Sequence, residues 1–121
     1  QADVFDYLRR AREAGDTYDL IILDPPKFAS SHYHVDRAAR AYKDINLNGL
    51  RLLRAGGQLL TFSCSGAIDT DLFQKIVAGA VIDSRRQAWA LSRFGAGVDH
   101  PLLMTFPEGE YLKGLHLKLC D

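Results

Sequence analysis

Two short apolar runs, with a long helical pattern between them, restrict this 121-residue chain more than any other feature. The first, Asp19 to Asp24 (D-L-I-I-L-D), is apolar on both faces and bounded by polar residues. Such a run suits a central strand of a parallel sheet. Pro25-Pro26 stops it, because neither residue can donate a ladder hydrogen bond. The second run, Gln58 to Ser63 (Q-L-L-T-F-S), reads as another buried strand. Between them, Ala38, Tyr42, Ile45, Leu52 and Leu53 fall on one side of a helix from Asp36 to about Arg54, with Gly56-Gly57 as its C-terminal stop.

The same reading extends in both directions. Val4, Phe5, Leu8 and Ala11 mark an amphipathic helix ended by Gly15. Asp69 or Thr70 caps a third helix with Leu72, Phe73, Ile76, Val77, Ala80 and Val81 as its apolar stripe. Gln87 to Phe94 and Leu115 to Leu119 read as two more strands. Alternation of this kind predicts α/β architecture with a mainly parallel sheet, and the closing pair, lacking a helix between its members, predicts an antiparallel last strand. A doubly wound sheet normally opens on a strand. This chain opens on a helix, so residues 1–121 are expected to be the second half of a larger domain.

Composition narrows the classes. Hydrophobic residues make up 47% of the chain, enough for a globular core. Fifteen basic residues balance fifteen acidic ones, which argues against nucleic-acid binding by bulk charge but leaves room for a local basic patch. No apolar run approaches the ~20 residues of a membrane span, and no basic segment leads into a signal-like stretch. Two cysteines, Cys64 and Cys120, cannot form a disulfide framework and fit a reducing, cytoplasmic setting.

Ligands of open parallel sheets bind at the carboxyl ends of the strands. The first run ends in Asp24-Pro25-Pro26-Lys27-Phe28 and the second in Ser63-Cys64-Ser65-Gly66. Should these strands be neighbours, a carboxylate, a thiol, an ammonium and an aromatic face surround one crevice. Plain readings stand beside this one: an aspartate at a strand end caps a turn, and a free cysteine packs as a small hydrophobe. A Cys64–His100–Asp99 hydrolase triad lacks the strained elbow that such nucleophiles occupy. His32 and His34 have no third metal ligand at suitable spacing, and the glycine-rich phosphate loops are absent.

Asp24-Pro25-Pro26-Lys27-Phe28 with Phe62-Ser63-Cys64-Ser65-Gly66 resembles motifs IV and VI of S-adenosylmethionine-dependent RNA methyltransferases. The chain is most similar to the bacterial 23S rRNA 5-methylcytosine methyltransferase family, large-subunit methyltransferase I type. The resemblance runs through Tyr42-Lys43-Asp44-Ile45-Asn46, Asp71-Leu72-Phe73-Gln74-Lys75, Asp99-His100-Pro101 and Pro107-Glu108-Gly109-Glu110-Tyr111-Leu112-Lys113-Gly114. The D-P-P element alone is common among methyltransferases; its pairing with S-C-S-G is specific.

The resemblance implies strands four to seven of a seven-stranded class I fold, without the first three strands and without an N-terminal RNA-binding domain. It implies S-adenosylmethionine as methyl donor and 23S rRNA as partner. Cys64 matches the nucleophile that adds to C6 of cytosine. Asp24 matches the acid that holds or protonates N3, a task favoured by burial. Asp3 matches the acidic position that binds the adenine amino group, and Asp24 with Pro25 borders the donor. Lys27 has two readings, as the cation that favours the Cys64 thiolate or as a phosphate contact. Phe28 likewise either stacks on an extruded base or packs under its loop. Related 5-methylcytosine enzymes carry a second cysteine where Lys27 stands, so product release here uses another group. Two alternatives remain: exocyclic-amine or guanine N7 methylation, and a non-catalytic fragment of the fold. The fragment is expected to bind donor weakly by itself and to expose an apolar strand, with homodimerisation as one outcome.

Overall fold

A computed structural model describes residues 4–25, 35–95 and 112–121. In chain order these form α1 (Val4–Glu13), β1 (Tyr18–Leu23), α2 (Val35–Leu52), β2 (Leu53–Ser63), α3 (Thr70–Ser84), β3 (Ala88–Gly95) and β4 (Lys113–Leu119). The four strands make one sheet in the order β1-β2-β4-β3. β1 and β2 run parallel, while β4 inserts antiparallel between β2 and β3. This is the expected α/β arrangement with a reversed last strand.

Register divides the sheet into two unlike faces. Leu23, Leu59, Thr61, Leu115, Leu117 and Leu119 are buried on one of them. The helices cover that face closely. A Cβ built on Gly49 of α2 would stand 3.0 Å from Leu23 Cδ1 and 3.8 Å from Leu59 Cδ1. α2 and α3 are joined by an edge-to-face pair of Tyr42 and Phe73, centroids 5.9 Å apart, and by the Lys43–Asp83 ion pair at 2.8 Å. Leu8 and Ala11 of α1 complete this layer.

The opposite face carries no described helix. Leu20 and Ile22 of β1 are 50% and 59% exposed there, and Trp89 of β3 is 67% exposed. D-L-I-I-L-D, read as a central strand, is an edge of the described sheet with β2 as its strand partner there, and it leaves exposed the apolar side expected of the fragment. Its apolar residues are nevertheless those of a strand designed to be covered on both sides.

A second correction concerns Gly56-Gly57. These residues do not follow a helix as its stop; α2 ends at Leu52 and both glycines lie inside β2. Tyr18 pairs with Leu53 and Leu20 with Gln58, so extra residues of β2 bulge out between those pairs. Gly56 supplies a φ of 75°, and a Cβ on Gly57 would come within 2.9 Å of Arg54 O.

Candidate active site

The parallel pairing of β1 and β2 brings the two chemically unusual strand ends to the same edge of the sheet. Leu23 is paired with Thr61, so Asp24 lies one residue and Cys64 three residues beyond a shared register point. Two residues of stagger at ~3.3 Å and one interstrand step of ~4.8 Å correspond to a Cα separation on the order of 8 Å. Asp24 is exposed and Pro25 buried. The exposure of Asp24 departs from the burial expected of an N3 acid, since no described side chain covers the edge at which it stands.

Cys64 is partly exposed between two buried serines, and its turn is tightly held. Ser63 Oγ accepts from the Ser65 amide at 3.2 Å. Ser65 O accepts from the Ile68 amide at 3.2 Å, and Ile68 is fully buried beneath the turn. Asp69 then caps α3, its Oδ1 accepting from the Leu72 amide at 2.7 Å. The backbone around Cys64 is thus fixed on both sides, by a strand before it and a capped helix after it.

One functional candidate was not singled out from sequence. Lys113, at the start of β4, is only 5% exposed and its Nζ donates to Ser65 O at 2.9 Å. Burial lowers the pKa of its ammonium below the ordinary lysine value, and the negative charges of Cys64 and Asp69 act in the opposite direction. Its signal was available. In K-G-L-H-L-K-L, Lys113 is in phase with Leu115, Leu117 and Leu119, so strict alternation turns it inward once the strand begins at 113 rather than 115.

Asp3, Lys27 and Phe28 lie outside the described residues, as do His32, His34, Asp99 and His100. Among the described residues no cluster of three or more His, Cys, Asp or Glu side chains is arranged for a metal, and no helix is long and apolar enough to cross a membrane. Cys120 follows β4 and is exposed, away from the packed position expected of a core thiol. An apolar groove of about 280 Å³ lies between α3 and strands β3 and β4, lined by Val77, Val81, Ile82 and Ala90 among others. It holds none of the candidate residues.

The fold has counterparts among solved structures. A methyltransferase crystal structure in complex with SAH superposes with a TM-score of 0.72 at 25% identity, over 97% of this chain and 30% of that one. A methyltransferase homologue from Pyrococcus horikoshii superposes with a TM-score of 0.59 at 17% identity, over 90% of this chain. The chain has a class I methyltransferase fold.

Sequence relatives agree with this methyltransferase fold. Ribosomal RNA large subunit methyltransferase I of Shewanella frigidimarina is 53% identical over 115 residues, covering 95% of this chain. The protein of the same name from Photobacterium profundum is 53% identical over 113 residues. The chain spans 29% of the length of the first relative and 28% of the second. No family model matches the chain.

Proposed function

We propose that this methyltransferase-fold chain carries the base-modifying half of an rRNA large-subunit methyltransferase that forms 5-methylcytosine in 23S rRNA. The reading rests on one observation above all, the parallel β1–β2 pair that gives Asp24 and Cys64 a common strand-end edge. The names of the relatives, and the SAH of the structural neighbour, support the substrate class and the donor.

Asp24 and Pro25 are the described residues proposed to border the donor. S-adenosylmethionine, when bound, supplies an electrophilic methyl group. The exposed Asp24 carboxylate offers acceptor oxygens beside the crevice, with the buried Pro25 stiffening the backbone that follows it. Asp3 is the proposed partner of the adenine amino group. In this scheme the Cys64 thiolate adds to C6 of cytosine, forming an S–C6 bond as the C5–C6 π pair shifts to C4–C5 and the acid form of Asp24 passes its proton to N3, becoming the carboxylate. The electrons of the C5–C6 bond make C5 the nucleophile for methylation. Loss of the C5 proton to a base, with return of the N3 proton to the Asp24 carboxylate, then restores the C5–C6 double bond and expels the sulfur as thiolate. Lys27 and Phe28 are proposed to contact the substrate, the first at phosphate and the second by stacking on an unstacked base.

The test uses the full-length protein and RNA bearing 5-fluorocytosine at the target. Fluorine cannot leave C5 as a proton does, so the protein–RNA adduct should persist after methylation. Cys64→Ala should abolish both adduct and methyl transfer, while Cys120→Ala should retain both. Asp24→Asn should slow transfer ~10²–10⁴-fold, the usual contribution of general acid–base groups. Transfer at the normal rate in Cys64→Ala would remove the covalent scheme in favour of nitrogen methylation.

A further inference from the structure

We infer that Lys113 is the positioning residue of Cys64, holding its turn through Ser65 O and supplying the positive charge that favours its thiolate. This deepens the cysteine reading above and rests on it.

Two independent features carry the inference. The first is geometric. Lys113 is paired with Ser63 across β2 and β4, so its side chain rises beside the very turn that contains Cys64. Its ammonium then donates to the carbonyl of Ser65, the residue after the nucleophile, at 2.9 Å. That carbonyl also receives the Ile68 amide, and the two donors together hold the turn between β2 and α3.

The second feature is chemical. A lysine only 5% exposed is uncommon, because desolvation penalises its charge. Lys113 occupies a β4 position whose inward-facing neighbours, Leu115, Leu117 and Leu119, are apolar. A leucine there would continue the core; lysine instead brings a cation to the Cys64 turn. Among the described residues, the titratable groups acting on its ammonium are Cys64, from the end of β2, and Asp69, from the cap of α3. Their attraction for the ammonium is mutual. An ammonium stabilised by a thiolate also stabilises that thiolate, and thiolate is the form that adds to C6. Asp69 shares the cation and opposes the second negative charge, so the balance depends on Lys113 keeping its own.

The experiment follows alkylation of the Cys64 peptide by iodoacetamide against pH, using mass spectrometry of the full-length protein. Lys113→Met removes both the charge and the donor, and should move the alkylation profile upward in pH. Lys113→Gln keeps a donor for Ser65 O without the charge, so it separates pinning from electrostatics and serves where the methionine variant does not fold. It should move the profile in the same direction. Lys113→Arg retains a cation and should stay nearer the wild-type profile than either neutral variant. An unmoved profile in folded Lys113→Gln overturns the electrostatic role. The 5-fluorocytosine adduct separates this result from the reading beneath it: an adduct with an unmoved profile rejects Lys113 alone, whereas a moved profile without any adduct rejects the covalent reaction.

Discussion

Gly114 shows how a single residue can depend on its tertiary surroundings. On the open face of the sheet, the rings of Phe62 and Phe94 stack with centroids 6.0 Å apart and an interplanar angle of 26°. Gly114 is paired with both residues, so the two rings meet over a position that has no side chain. A Cβ there would lie 2.7 Å from Phe62 Cε1 and 3.1 Å from Thr61 O. Gly114→Ala should therefore push the Phe62 ring aside and destabilise the fold by roughly 1–3 kcal/mol, as overpacked sites do. Urea denaturation checks it, and a change within error of zero would mean that Phe62 moves away freely. The site residues differ in kind. Cys64 and Asp24 were legible because polar, reactive residue types ended two apolar runs, whereas alternation turned Lys113 inward but only the carbonyl that it meets gave it a role.

Among the elements, the junction between α2 and β2 is held from a distance. Arg86, two residues beyond α3, donates through Nη1 to Leu50 O at 2.8 Å and also to Leu53 O. Its Nε and Nη2 engage both oxygens of Asp121, at 2.8 and 3.1 Å. One guanidinium thus joins the end of α2, the start of β2 and Asp121, two residues beyond β4. Arg86→Ala would leave carbonyls without their donor, at a cost of about 1–3 kcal/mol.

The Asp121 carboxyl is held below its usual range, chiefly by its hydrogen bond to Arg86. A carboxyl lowered in the folded state contributes stability above its unfolded value, and that contribution disappears as pH falls through the folded value. Unfolding midpoints compared between neutral and acid pH should therefore drop less in Asp121→Asn than in the unsubstituted chain. Equal drops would show that the pair adds nothing in solution, as many exposed pairs do.

At the scale of the whole molecule, the two faces of the sheet have different fates. One is sealed by α1, α2 and α3; the other leaves Leu20, Ile22 and Trp89 to solvent. β1 also offers an unpaired edge to any strand of the same kind. The 121-residue chain by itself should associate through that edge, with Ile22→Lys reducing the association by placing a charge on it. Analytical ultracentrifugation decides the matter: a monodisperse monomer at high concentration would contradict it.

The amino-acid sequence by itself determined the order of helices and strands, because apolar periodicity at about 3.6 and at 2 is local and survives without neighbours. It also marked Asp24 and Cys64, whose chemistry contrasts with the runs they end. Only the tertiary structure decided that Gly56-Gly57 belongs inside β2, since a bulge exists only relative to the strand it is paired with. It alone decided that Asp24 is exposed and that Lys113 is buried against the Cys64 turn. A hydrogen bond across 48 positions of sequence is a property of packing, and no local pattern contains it.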